Sequence, residues 1–417
     1  MPERKAGARR SPEIETLASG MRAVFLPSDA NNIVALGCFI PLPAAIEQPE
    51  EAGLVSFALR MLLRGTTRMG NEELSEAIES LGTSISFSAS DDFSHGSMVC
   101  TGDTFDESLR LFADVMQNPA FEPEEVERER QTTLAAIRRS DDEKFSYTMK
   151  RFLRELYGPH SYGLPRTGLI ETVSEFRREQ VAAVHGEFVD PGQCLAVCVG
   201  NFDPGAARSQ LDGLLQPRPS ASAPPGIAPV RAVEPTRSRF SRECEQAFLV
   251  AGFQACGVLS PDFAAVRVLN GVLGEGMSSR LFVHLRDEKG LAYATGSTVA
   301  ALRSGGHLAG YIGTKPGSLD EAREGMLAEF AQIRREPVPA EELERAKNYI
   351  TGKFLIDHQT NARRAFYLGY YETLGLGMAM DEDYPGLIAA VTAGQVRDAA
   401  NKYLGEPTIA ELVPTAD

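Results

Sequence analysis

The side chains that could bind a metal or act as nucleophiles are few and scattered. Histidines stand at 95, 160, 185, 284, 307 and 358, and no two are four residues apart. No helix can therefore offer two imidazoles from one face, as a zinc hydrolase helix must. A lone histidine such as His160, in Tyr157–Gly163, reads as hydrogen-bonded structure rather than as a ligand. Cysteines stand at 38, 100, 194, 198, 244 and 256, and Cys194 and Cys198 have three residues between them. No second pair or neighbouring histidine completes a zinc pattern. Most of the cysteines lie in apolar, strand-like runs such as Gln193–Gly200, which reads as buried free thiols.

The elements that would carry any chemistry are those of an ordinary globular chain. Of 417 residues, 43% are hydrophobic and 24% charged, which excludes a collagen-like or low-complexity chain. The net charge is −15 and the pI about 5.0. Such a chain is a poor partner for nucleic acid, whose binding rests on neutralising phosphates. The longest apolar stretch, Ile33 to Ile46, is broken by Pro41 and Pro43 and is too short to cross a bilayer. The N-terminus has basic residues without an apolar core behind them, so no secretory signal is read there. A cytoplasmic location is expected, or a periplasmic one if a signal peptide has been removed.

Gln216 to Arg237 holds six prolines among small residues without periodicity. It reads as a linker between residues 1–215 and 238–417. The halves resemble each other. Phe105-Asp106-Glu107 opens a helix with apolar Leu109, Phe112, Ala113 and Met116. Leu319-Asp320-Glu321 opens its counterpart, with Met326, Phe330 and Ile333 inside. Glu124–Arg128 parallels Glu341–Arg345 at nearly the same offset, each after a proline. Strand-like runs fall at Thr83–Ala89, Cys194–Val199, Leu291–Val299 and His307–Gly313. The mixed order predicts α+β: two similar domains, each an antiparallel β-sheet packed by α-helices.

Two segments carry a family resemblance. Glu51–Thr66, EAGLVSFALRMLLRGT, predicts a helix and resembles the metal helix of the pitrilysin-like zinc metallopeptidases, the inverzincins. Their pattern is G-L-x-H-F-x-E-H-M-x-x-x-G-T. Gly53, Leu54, Phe57, Met61, Gly65 and Thr66 match it. Ser56 stands at the first zinc histidine, Leu59 at the general-base glutamate and Arg60 at the second histidine. These positions share one helix face, which offers a hydroxyl, an isobutyl group and a guanidinium. Arginine stays protonated and has no lone pair for a metal. The family's third ligand is a glutamate further along the chain, on a second helix. It aligns with Ala136, in the stretch Glu129–Ala136.

Gly274–Ala300, GEGMSSRLFVHLRDEKGLAYATGSTVA, resembles the family's C-terminal motif. Ser278–Arg286 is predicted helical, ended by Gly290, with a strand over Leu291–Thr298. Arg286 and Tyr293 occupy the family positions that contact substrate at the zinc centre. The resemblance implies that the phenol hydrogen-bonds the substrate carbonyl or oxyanion while the guanidinium holds backbone carbonyls. Arg280 reads as structural or as a helper contact.

Covering residues 15 to 412, the resemblance implies a non-catalytic subunit of a heterodimeric peptidase, similar to the paired arrangement of mitochondrial processing peptidase and its bacterial relatives. Zinc would then sit in an H-x-x-E-H partner of similar size, with no cofactor in this chain. Peptide is the implied substrate, added as a strand to a sheet edge. The alternatives are a structural core protein of a respiratory-type complex, a peptide-binding homodimer without proteolysis, and a free-standing metallopeptidase with a relocated site. The proline-rich segment also raises opening and closing of the halves, or of the two subunits, around a peptide.

Overall fold

The computed structural model describes residues 12–218, 222 and 226–415. Eleven strands are present among them: β1 Glu15–Thr16, β2 Arg22–Pro27, β3 Ile33–Ile40, β4 Ser84–Ala89, β5 Ser94–Thr101, β6 Leu195–Gly200, β7 Arg237–Arg242, β8 Ala247–Ala255, β9 Ala294–Leu302, β10 Gly305–Thr314 and β11 Thr408–Pro414. The first half carries helices α1 Leu54–Met61, α2 Asn71–Ser80, α3 Phe105–Gln117, α4 Pro123–Asp142, α5 Lys144–Tyr157, α6 Ile170–Glu175, α7 Arg178–Phe188 and α8 Pro204–Leu214. The second carries α9 Phe263–Gly274, α10 Leu319–Arg335, α11 Ala340–Asp357, α12 Asn361–Leu374, α13 Met380–Ala390 and α14 Ala393–Tyr403.

The strands form two sheets, ordered β1-β2-β6-β3-β5-β4 and β7-β11-β8-β10-β9. Leaving β1 aside, the orders superimpose strand for strand, which bears out the duplicated α+β reading. The sheets are not purely antiparallel. β2 pairs parallel with β6, and β7 with β11. The reason is topological: β6 and β11 return after long helical crossovers, which deliver a strand in the same sense as its neighbour.

The helix pattern repeats as the amphipathic spacing predicts. Leu109, Phe112, Ala113 and Met116 of α3 are buried, as are Met326, Phe330 and Ile333 of α10. Pro123 opens α4 and Pro339 caps α11, suiting a first turn that needs no amide donor. Predicted strands at Thr83–Ala89, Cys194–Val199 and His307–Gly313 are β4, β6 and β10. The strand expected over Leu291–Thr298 begins later, at Ala294. The helix expected from Ser278 is a π-helical segment, Leu281–Glu288. Gly290 ends it with φ 62° and donates its N–H to the Arg286 carbonyl at 3.1 Å.

Each half lends a helix to the other. One face of the first sheet packs on α1, α3 and α7. Its opposite face, with Val24, Ala35, Phe39 and Val197, packs on Ala365, Leu368 and Leu374, in or at the end of α12 of the second half. Conversely, Phe152, Leu156 and Tyr157 of α5 cover Val250, Ala309 and Ala410 of the second sheet. Polar contacts reinforce the exchange. Tyr157 Oη meets His307 Nδ1 at 2.9 Å, and Asp92 accepts from Tyr162 Oη at 2.5 Å and from the Arg303 amide at 3.0 Å. Separating the halves would strip two buried helix faces, so the exchange resists a hinge between them. Residues 226–236 carry no helix or strand, yet Ile227 and Val230 pack on the same cluster as α5. Of the expected linker, residues 219–221 and 223–225 lie outside the described residues.

Candidate functional site

Helix α1 is enclosed on most of its circumference. Leu54, Val55, Ser56, Phe57, Ala58, Leu59 and Met61 are all buried. Its start is set by Gly53, at φ 92°, where a Cβ would collide with the Gly168 backbone. Glu47, 5% exposed, accepts the Gly53 and Val55 amides at 2.8 and 2.7 Å. These two amides are among the unpaired donors at the helix N-terminus. Burial nevertheless pushes the Glu47 carboxyl up to about 8, the two amides opposing it.

Of the three positions read as one chemical face, Arg60 is the one whose side chain makes hydrogen bonds among the described residues. Leu59, 1% exposed, belongs to the first-half core, and Ser56 is also buried. An isobutyl group is driven into the core where a carboxylate would have turned to water or metal. Ala136 is exposed on α4. Arg60 turns to Glu129, a residue of the aligned stretch to which the sequence pattern assigns no role. Glu129 is 2% exposed and accepts Arg60 Nε at 2.9 Å, Arg64 Nε at 3.0 Å, Arg64 Nη2 at 2.6 Å and Thr133 Oγ1 at 3.1 Å. Arg60 Nη2 also donates to Thr133 Oγ1 at 3.2 Å. The signal that could have found this cluster is Arg60 and Arg64 one turn apart, which demands a counter-ion nearby. Two guanidiniums and a buried carboxylate form a structural ion triad. None of Ser56, Leu59, Arg60 and Ala136 fits zinc ligation, for reasons of donor chemistry alone.

The histidines are taken up by the fold. His160 Nδ1 accepts the Tyr162 amide at 3.0 Å while Nε2 meets the Ala228 carbonyl at 2.8 Å. His284 meets Glu329 and His358 meets Asp381, each at 2.8 Å. Burial lowers His95, His185 and His307 to about 4, keeping them neutral at pH 7. Among the described residues, no group of three or more His, Cys, Asp or Glu is placed to hold a metal ion. All six cysteines are free and all but Cys244 are buried.

Arg286 and Tyr293 sit on the other half, beside the edge strand β9. The π-helical segment packs on β9, α9 and α10. The loop after it is pinned at three points: Leu291 N–H to the Leu285 carbonyl at 2.8 Å, Thr314 Oγ1 to the Leu291 carbonyl at 2.5 Å, and Tyr293 N–H to the Gly313 carbonyl at 2.9 Å. The backbone is held while the side chains stay out. Tyr293 is 53% exposed, and no described residue hydrogen-bonds its hydroxyl. Arg286 is exposed with its guanidinium 4.6 Å from the Phe282 ring centroid, and no carboxylate ties it down among the described residues. Arg280 differs: 8% exposed, it donates Nε and Nη2 to Glu342 at 2.8 and 3.0 Å, fastening the segment to α11. Within one chain the pair and the α1 triad lie on different halves.

Fold and site together define a duplicated α+β chain of the metallopeptidase type whose metal helix carries no ligands. Residues 23–166 match the family model described as insulinase, peptidase family M16, and residues 175–350 match the M16 peptidase inactive domain. The chain belongs to the M16 peptidase family. It is 25% identical over 378 residues to an uncharacterized zinc protease of Bacillus subtilis, YmxG, covering 86% of this chain and 89% of that one. An uncharacterized zinc protease of Rickettsia felis is 24% identical, covering 97% and 98%. A Pseudomonas fluorescens crystal structure, described as a peptidase M16 inactive domain, superposes with TM-score 0.89 at 21% identity, covering 98% and 99%. A chain of the Candida albicans complex III dimer gives 0.82 at 14%, covering 96% and 95%. These last two likenesses concern the fold.

Proposed function

We propose that this chain is the non-zinc-binding subunit of a heterodimeric M16 peptidase, and that it lends Arg286 and Tyr293 to the partner's active site. The partner is a chain of similar size carrying H-x-x-E-H. The observation that supports this reading most directly is a contrast within one chain. The metal positions are closed by Leu59 and an ion triad, whereas Arg286, on the π-helical segment, and Tyr293, on the pinned loop after it, stand exposed, without side-chain hydrogen-bond or ion-pair partners among the described residues.

The chemistry of the pair needs no metal of its own. The Tyr293 phenol donates to the substrate carbonyl oxygen and more strongly to the oxyanion that replaces it. The Arg286 guanidinium offers several fixed donors to peptide carbonyls. Peptide adds as a strand to a free sheet edge; the outermost strands are β1 and β4 of the first sheet and β7 and β9 of the second.

A structural core subunit also shares this fold. It has no need of a free Arg286–Tyr293 pair, which is why the catalytic reading is preferred. The test is to purify this chain alone, the H-x-x-E-H protein alone, and the mixture, and to measure zinc and cleavage of a quenched fluorescent peptide in each. Zinc in the partner with activity in the mixture supports the composite site. Stoichiometric zinc or cleavage in this chain alone overturns it. A mixture that binds peptide without cutting, or a chain that co-purifies with respiratory subunits, would instead favour the binding-only or structural alternatives.

A further inference from the structure

The second half holds an open cleft at the place where the first half holds its sealed one. Helix α1 packs on α7, β4 and α4; α9 packs on α14, β9 and α11, the equivalent elements. α4 begins at Pro123 and α11 at Ala340. Laid start to start, Thr133 corresponds to Ile350 and Ala136 to Lys353. Ile350 and Lys353 line a cavity of about 490 Å³ between α9, β9, α11 and α12, within the roughly 300–1,000 Å³ usual for small-molecule sites.

Its walls are aromatic, with Phe354, Phe366, Tyr367 and Tyr370 among them. Two acceptors on these walls are under-used. Asn270 is 2% exposed; its amide nitrogen donates to Glu275 at 3.1 Å, but its Oδ1 is buried without a hydrogen-bond partner among the described residues. Asp357 receives only a long contact, 3.3 Å, from Tyr367 Oη, and no ion pair among the described residues. It is also the last residue of α11, whose final turn has no basic residue. A carboxylate there opposes the helix dipole. Arg363 lies 6.0 Å from the Tyr367 ring centroid without pairing with Asp357. Glu275, by contrast, is satisfied by Arg267, Asn270 and Lys353.

We infer that this cavity binds an organic cation with an aromatic or aliphatic body. An ammonium, amidinium or guanidinium group would meet the charge of Asp357 at the rim, and an N–H donor reaching deeper would meet Asn270 Oδ1. The ring faces would receive the body and the delocalised charge. The cation comes either from a free amine or from a basic side chain of a peptide. The inference concerns this chain alone and does not rest on a zinc-bearing partner.

The experiment is calorimetric titration of the full chain with benzamidine and with benzamide, its neutral counterpart of similar shape. Saturable benzamidine binding at least about tenfold tighter than benzamide is expected. Asp357→Asn, at the half-buried rim, should weaken benzamidine about tenfold and remove the preference, with circular dichroism and ligand-free melting unchanged. Asn270→Ala should weaken both ligands if it folds; the rim variant keeps the test decisive if it does not. N-acetyl-arginine amide competing with benzamidine points to a peptide side chain, and failure to compete points to a free amine. Equal binding of benzamidine and benzamide, no saturable binding of either, or an indifferent Asp357→Asn variant overturns the inference.

Discussion

Tyr293 and Glu129 sit at opposite ends of what a polar side chain can do in a protein. Tyr293 is exposed and its hydroxyl unpaired among the described residues, so its removal costs the isolated fold little. In the proposed complex, Tyr293→Phe should lower peptide turnover by about 10²–10³ with assembly and zinc content intact, the usual loss for one oxyanion donor. Single-turnover cleavage measures this, and an unchanged rate would remove Tyr293 from the site. Glu129 is buried beneath two guanidiniums. Glu129→Ala leaves Arg60 and Arg64, 35% and 28% exposed, without their counter-charge and should cost about 1–3 kcal/mol of stability, less than a fully buried pair because water can reach both guanidiniums. A denaturant midpoint unmoved by this change would mean the triad is solvent-screened. Part of this was legible in sequence: Ser56, Leu59, Arg60 and Ala136 lack ligand chemistry wherever they point. The triad was not, because Glu129 and Arg60 lie on separate helices far apart in the chain and only packing brings them together.

At the scale of elements, α12 shows how closely the halves are fitted. A Cβ on Gly369 would overlap the Phe39 ring, so this glycine sets the distance between α12 and the first sheet. Gly369→Val should force the helix outward and destabilise the chain by about 1–3 kcal/mol or more, the usual cost of overpacking. Thermal denaturation reads this directly. Phe39→Leu in the same chain should recover part of the loss, and an additive double mutant would argue against the contact. Periodicity revealed α3 and α10, because one apolar stripe per helix is a local signal, and the paired acidic runs after Pro123 and Pro339 revealed α4 and α11. It could not reveal that α5 and α12 cross to the other half's sheet. Their apolar faces look the same whichever sheet they cover. The π-helical winding of Leu281–Glu288 was likewise hidden, since its hydrogen bonds reach only one position further than those of an α-helix.

For the whole molecule, three buried histidines couple stability to pH. His95, His185 and His307 have folded values lowered to about 4 by burial, against about 6.5 unfolded. The unfolded chain therefore binds more protons between these values, and stability falls as pH drops through the window. From pH 7 to pH 5 the loss should be about 1–2 kcal/mol per histidine. Glu47 acts the other way: its raised value favours the fold below about pH 4.5 and withdraws that support as pH climbs towards about 8. Melting curves across pH 5–8 should show a net fall on the acid side, and His185→Gln should flatten it. An equally steep curve in that variant would shift the origin of the effect to other groups.

Composition, helix periodicity, the repeat of one half in the other and the loss of metal ligands were all readable from residue order, because each depends on side-chain chemistry or on patterns among near neighbours. The swapped helices, the parallel strand pair in each sheet, the burial of Leu59, the Arg60–Glu129–Arg64 triad and the aromatic cleft of the second half were not. Each depends on which distant surfaces meet. Two halves with the same fold can seal one cleft with charge and leave the other open only because their facing residues differ across long gaps in the chain, where no local pattern reports the contact.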